Sequence, residues 1–561
     1  MPPANGSLET LADVQVRIEK MNVSALELRR MKTSIKRISQ MAGASPSSLS
    51  VDAQELRKAI VNIHPAAHDV RASTFRCYRS ELSRALRLVG ALDHSLIGLA
   101  RNHSAWAPLL AALGDMRARS LSGFANWCVT NDVLPTDVNE AVARRYLHWR
   151  ETRTLSRYPR NCISTIFWVW NRARETVDGW PDRRLDLDAL KPPQKWLSWD
   201  ELNEEYCRDA ESYLKGLAQP DLFDPNPHAP RRPLSKATLS NHRRSLGVAA
   251  SVLIQSGYRQ SEVSSLSDIV RPEAFRIILS RIHDIAGGQV NSRAKAYASL
   301  LLRIARHHVR ASAEQVRELE AISAKLPRAP YCLKEKDRAL LRRFESDRLR
   351  ARLLFLPESL QACVDADLAR GRIRYVLAQV AVAVDIILVA PMAPQNFIGL
   401  NWGQHFRPSE GKAGELILHV PASETRLCLR DATYVIPPSV ASRIEWYRHS
   451  VLKQMGCSAD GYLFVTKSGR RKKDTVMTRQ IQKVLADEIG YTITLSQFRH
   501  LAALFYLERH PGDFETLRAL LGIAQRSTTQ RYEGLTRRIA SRAYTDFVIQ
   551  KRAEMLRQDA Q

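Results

Sequence analysis

Acidic residues are scarce in this chain. Of its 561 residues, 58 are Asp or Glu against 84 Lys or Arg, which leaves a formal net charge of +26 and a pI near 10.0. That imbalance points to a polyanionic partner or an anionic surface. Cysteine is also sparse. Cys77, Cys128, Cys162, Cys207, Cys332, Cys363, Cys428 and Cys457 stand one at a time with no C-x-x-C pair. Neither a zinc module nor a disulfide framework is expected, and no cofactor is implied. Long apolar runs are missing as well. The longest, residues 375–392 (YVLAQVAVAVDIILVAPM), is interrupted by Gln379 and Asp385 and ends on prolines. It reads as a buried helix, because a membrane span wants about 20 residues with few or no charges. The opening MPPANGSLET is polar, so no secretory signal is expected, and the cytoplasm or nucleoid is the expected place.

Apolar material is ample. At 45% hydrophobic and 25% charged residues the chain is no disordered polyelectrolyte. Its length suggests about three to five domains at roughly 100–200 residues each. Residues 8–43 carry two apolar stripes, Leu11/Val14/Ile18/Met21 and Leu28/Met31/Ile35/Ile38. They predict two helices, the second lined with Arg29, Arg30, Lys32, Lys36 and Arg37. That basic face suits either a surface helix or a DNA-contacting arm. Residues 73–184 and 235–324 form two blocks of short amphipathic, Arg-rich helices, separated by a Pro-dense stretch at 220–233 (PDLFDPNPHAPRRP). Beyond residue 334 helices dominate again, but 415–420 (ELILHV) and 433–436 (TYVI) alternate as short strands. Residues 461–465 (GYLFV) suit a third strand or a buried loop.

The tail is the most informative part. Residues 495–507 (LSQFRHLAALFYL) and 520–535 (LLGIAQRSTTQRYEGL) resemble the C-terminal motifs of the tyrosine recombinase/integrase family (phage-integrase-like), which run HxxRH, LGH and TTxxY. Residues 389–402 (VAPMAPQNFIGLNW) are similar to the segment bearing that family's first catalytic Arg, and the strands at 415–436 to the hairpin bearing its Lys. The resemblance implies a mainly α, multidomain architecture: helical core-binding (SAM-like) domains plus a tyrosine-recombinase catalytic domain, mostly α with a small β-sheet. The expected division is 1–70 a helical arm and linker, 71–219 a helical DNA-binding domain, 220–233 a linker, 234–330 a core-binding-like domain and 331–561 the catalytic-type domain.

In such a family a Tyr hydroxyl attacks a DNA phosphodiester, giving a 3′-phosphotyrosyl link and a free 5′-hydroxyl without ATP or metal. Two Arg offset charge on the phosphate. A Lys protonates the leaving oxygen, and a His at the HxxR position and a second His or Trp assist. Here the nucleophile position falls on Tyr532 and the second Arg on Arg499, with the hairpin Lys position on Arg426. The first Arg reads Ala393, the HxxR His reads Ser496 and the LGH His reads Ile523. Arg426 keeps a charge but is a poor proton donor, its pKa exceeding about 12. Losing one preorganised donor typically costs about 100- to 1,000-fold in rate. The resemblance therefore implies a DNA-binding protein of site-specific recombination, integrating or excising a mobile element, with weak or absent cleavage. The alternative is a fully active recombinase.

Other basic residues are candidates for DNA contact. Arg470, Arg471, Lys472 and Lys473 form the cluster SGRRKK, which fits either a solvated charge run or phosphate contact. Arg243 and Arg244, and likewise Arg144 and Arg145, lie on basic helices. Trp127, Trp149, Trp168 and Trp170 sit at helical spacing and are expected in the core rather than as base-stacking platforms. His500 is expected to be structural, with a substitute general base as the minority reading. The implied partner is double-stranded DNA, bound by a homo-tetramer or in a mixed synapse with paralogous recombinases.

Overall fold

The computed structural model describes residues 8–558 apart from 95, 191–195, 222, 226–231, 286, 288–291, 328–331, 426–430, 524 and 525. Helices make up 67% of the chain and one small sheet is present, the mainly α, multidomain class expected. Two compact units are formed: Met1–Leu185 with Cys332–Gln561, and Asp186–Tyr331.

In the first unit the chain opens with the helices Leu11–Glu19 and Ala25–Ala42. Each starts on a reciprocal cap, Thr10 with Asp13 and Ser24 with Glu27, and the second stops at Gly43, whose φ of 71° suits glycine. Their stripes bury Leu11, Val14, Ile18, Met31, Ile35 and Ile38 against Phe75, Leu82 and Leu86 of the helix Ala72–Leu88. Residues of the segment 8–70 thus share an apolar core with that helix. Arg57 ties this core to the next helices. Its guanidinium donates to the carbonyls of Arg150, Glu151, Thr154 and Ser156 at 2.6–3.1 Å, satisfying the open end of the helix Glu140–Thr152.

The aromatic-rich core beyond it contains Trp106, Phe124, Tyr146, Trp127 and Trp170, all buried. Trp149 is half-buried and donates its indole N–H to Asp93 at 2.6 Å. Trp168 departs from expectation: it is 63% exposed, because the helix Pro159–Thr176 turns Phe167 and Trp170 inward and Trp168 out.

Asp186–Tyr331 forms a helical unit with its own core. Here the helix Glu204–Ala218 packs on Lys236–Gln255, with the Tyr206 hydroxyl donating to the Leu246 carbonyl at 2.9 Å. The expected Pro-dense linker at 220–233 falls largely on residues 222 and 226–231, which lie outside the described residues.

Residues 332–561 are built around the helix Tyr375–Val389, buried from Ala378 to Ile387. Its two polar interruptions are both satisfied. Gln379 donates to the Val465 carbonyl at 2.9 Å, and Asp385 pairs with Arg443, which also reaches Glu358 at 2.8 Å and Gln361 at 3.0 Å. Burial pushes Asp385 up to about 6 even with Arg443 beside it. The antiparallel sheet runs β1 (Phe406–Pro408), β2 (Leu416–Val420), β3 (Ala432–Ile436), with Leu418 opposite Tyr434. β2 and β3 are the expected pair. Residues 461–465 are a loop buried at Leu463, Phe464 and Val465 with Tyr462 exposed, fixed by bridges between Asn401 and Tyr462 and between Val465 and Arg471.

The turn Pro65–His68 docks onto this region. Arg352 donates to the Ala66 carbonyl at 3.0 Å and Arg348 pairs with Asp69 at 2.9 Å, while Ala67 lies directly against Gly490.

Candidate functional site

The helix Leu495–Arg509 starts on a reciprocal cap between Thr494 and Gln497, which frees the second carboxamide end to turn inward. Leu495, Phe498, Leu501 and Leu504 fix the buried face, leaving Arg499 and His500 half-buried at its edge. The chain returns through the helix Phe514–Leu520, capped by Asp513, turns at Gly522 and enters the 3₁₀ segment Arg526–Tyr532. Arg499 bridges this return by donating to the Leu521 carbonyl at 2.5 Å.

Tyr532 is 2% exposed. Its hydroxyl lies 2.9 Å from Nδ1 of His500, and the two rings meet edge to face at 5.7 Å. On the far side, His500 Nε2 is 4.0 Å from a carboxylate oxygen of Asp337, whose other oxygen accepts from the Gln497 carboxamide at 2.9 Å. Burial pushes the His500 imidazole down to about 4, opposed by Asp337 and aided by Arg531 and Arg499. Burial also pushes the Tyr532 phenol up to about 12, although Arg531 and Arg499 favour its anion. A neutral imidazole thus accepts from a neutral phenol. As built, the pair stores Tyr532 in protonated form within apolar surroundings, with two guanidinium groups near enough to act on it.

Three further motif positions were expected to carry other groups. Ser496 is exposed on the first turn of the helix, and Ile523 packs its side chain on the core. Ala393, half-buried, caps the short helix Pro394–Phe397. The connection between β2 and β3 is anchored close by: Asn396 donates to the Glu424 carbonyl at 2.9 Å, and buried His405 reaches the Glu424 carboxylate at 3.1 Å. Arg426 itself lies outside the described residues. The β-sheet approaches the site through Tyr434, whose burial raises its phenol while Arg499 opposes the shift.

The basic cluster divides. Arg470, Arg471 and Lys473 are exposed, with Arg471 paired to Asp474 at 3.1 Å. Lys472 is 3% exposed, so this member cannot meet a phosphate at the surface. Its ammonium donates to Gln379 and, at 2.6 Å, to Gln480, lies 5.2 Å over the Tyr375 ring, and is pushed down to about 8 by burial. Successive side chains of an extended segment alternate faces, and here the turn places one cation inside. In the other unit Arg243 and Arg244 are exposed, Arg243 pairing with Glu211 at 2.9 Å. Arg145 lies 5.7 Å over the Trp127 ring.

Asp337 and Gln497 were not singled out from the sequence. Gln497 sits between the motif positions Ser496 and Arg499, and nothing in the sequence marks Asp337.

No protein-family profile matches the chain, and no curated protein matches it. Among solved structures, the site-specific recombinase XerH in its pre-cleavage complex with difH is 11% identical, covering 58% of this chain and 89% of that one, with a TM-score of 0.30. XerH in a post-cleavage complex with a palindromic difH substrate is 12% identical over 60% and 93%, with a TM-score of 0.32. The XerA recombinase is 15% identical over 60% and 98%, with a TM-score of 0.26.

Proposed function

We propose that this protein is a duplex-DNA-binding member of the tyrosine recombinase type, acting in site-specific recombination of a mobile element, with weak or absent strand cleavage. The observation that carries the reading is the meeting of the two motif residues. The helix Leu495–Arg509 and the segment Arg526–Tyr532 bring Arg499 and Tyr532 into one site, around the hydrogen bond from Tyr532 to His500. The substitutions at Ala393, Ser496 and Ile523 remove groups that would clamp a phosphate or move a proton there, and the buried phenol is not offered as a nucleophile. Binding needs less than chemistry does. The net charge of +26 supplies it, with Arg470, Arg471 and Lys473 exposed near the catalytic-type region's surface turn and Arg243 and Arg244 on the second unit. The nucleoid is the corresponding place of action, and a homo-tetramer or a mixed synapse with a complete recombinase the corresponding assembly.

Binding is tested by mobility shift of the full chain on duplexes selected from a random pool. With about 6–10 phosphates contacted, affinity falls roughly 10³- to 10⁵-fold between 50 and 200 mM salt. Tyr532→Phe retains wild-type affinity. Absence of duplex binding at low salt defeats the reading.

A further inference from the structure

The helix Ala25–Ala42 spends its inward face on Met31, Ile35 and Ile38, which are fully buried. Its outward face carries Arg29, Arg30, Thr33, Lys36 and Arg37, all exposed. At three- and four-residue spacing these side chains fall on one stripe. The pairs Arg29/Arg30 and Lys36/Arg37 stand two turns apart, about 10 Å along the axis.

The stripe has no acid of its own. Past Glu27 the helix contains none. The two carboxylates beside the stripe are already engaged, Glu27 by its Ser24 cap and by Arg84, and Glu19 by Lys32. Arg29, Arg30, Lys36 and Arg37 have no ion-pair partner among the described residues, and Arg37 donates to the neutral Gln40 at 3.5 Å. A solvated helix face ordinarily sets acids three or four residues from its cations. Here four like charges share one face without a carboxylate between them. The Ser24 cap at one end and Gly43 at the other hold that face in place before any partner arrives.

We infer that this stripe is a further DNA-contacting surface that grips the duplex backbone independently of sequence. Arg29 and Arg30 meet one stretch of phosphates, Lys36 and Arg37 meet the phosphates about three nucleotides along the strand, and the Thr33 hydroxyl lies between them. A row of phosphates supplies the anions that the helix lacks. The inference rests on the DNA-binding reading and names an element outside the catalytic-type region that takes up backbone charge.

The full chain and the variant Arg29→Gln/Arg30→Gln/Lys36→Gln/Arg37→Gln are titrated on one duplex between about 50 and 200 mM salt. Glutamine is a good helix former and all four sites are exposed, so thermal unfolding should match wild type. Each phosphate contact adds about 0.9 to the salt slope; with two to four of them lost, wild-type affinity falls roughly 10- to 150-fold further than the variant's over that range. Arginine also reads guanine, so Arg29→Lys/Arg30→Lys/Arg37→Lys is expected to keep both the slope and the sequence preference. Charge removed anywhere weakens DNA binding at a distance, and Thr33→Cys labelled with a photoactivatable aryl azide supplies the local readout: it should crosslink the duplex well above equally treated wild type. A slope unchanged in the glutamine variant, a sequence preference altered in the lysine variant, or no crosslink above background overturns the inference and leaves the wider reading standing. Loss of binding to phosphatidylserine vesicles in the glutamine variant, with its duplex slope unchanged, assigns the stripe to an anionic membrane and overturns it equally. Wild type that binds no duplex at low salt defeats the wider reading as well.

Discussion

Acidification should open the Tyr532 pocket through one imidazole. His500 is 13% exposed at its side chain and accepts the Tyr532 hydroxyl at 2.9 Å, an arrangement only a neutral Nδ1 can make. Burial holds its pKa at about 4, against an ordinary 6.5. Because the folded value is the lower one, the opened chain takes up the proton first as pH falls. The contribution to stability is full above about pH 6.5 and is lost as pH falls toward 4. The linkage amounts to about 2 kcal/mol by pH 5 and about 3 kcal/mol in the acid limit. Hydrogen exchange of the segment 526–535 reads this directly, once intrinsic rates are corrected for pH. Protection should fall about 30-fold between pH 7.5 and 5.0, the equivalent of 2 kcal/mol. In His500→Gln the carboxamide still accepts from the phenol but does not titrate, so the fall should largely vanish. The carboxylates elsewhere titrate alike in both proteins. An equal loss of protection in the two would refute the reasoning.

Two substitutions probe the frame around the site. Gly490 has φ +91°, and a Cβ there would fall 2.1 Å from the Ala67 nitrogen and 2.5 Å from its Cα. Gly490→Ala adds left-handed strain of about 1–2 kcal/mol to a clash with backbone that cannot swing away. It should undock the turn Pro65–His68 and expose it to limited proteolysis; a cleavage pattern like wild type would contradict the account. Arg443→Ala strips buried Asp385 of its partner and should cost about 3–5 kcal/mol in urea unfolding, most of it recovered by adding Asp385→Leu. A single-mutant loss below about 1 kcal/mol would mean that the pair is not buried as described.

Legibility in the sequence followed the scale of the feature. The helix Tyr375–Val389 was readable because fifteen residues repeat one apolar message, and its two polar residues marked where partners would be needed. β2 and β3 announced themselves by alternation. β1 did not, being three residues that end in a proline. Trp168 was misread because its spacing from Trp170 says nothing about which face of the helix meets the core. Lys472 was misread because a run of cations reads as surface. Only its turn, and Gln379 from 93 residues away, place it inside. The same holds at the site: Arg499 and Tyr532 were visible in motifs, whereas Asp337 lies 160 residues from the Gln497 that it meets. Long-range polar contacts leave no local pattern.

Strand cleavage is the point on which the account stands most directly. A nicked suicide substrate carrying the selected binding site, incubated with the full chain and resolved on a denaturing gel, traps any 3′-phosphotyrosyl product. The account predicts bound DNA with no adduct, or a trace slower than an ordinary recombinase by at least the roughly 100- to 1,000-fold that one missing donor costs. A rapid, near-complete adduct that disappears in Tyr532→Phe would contradict it.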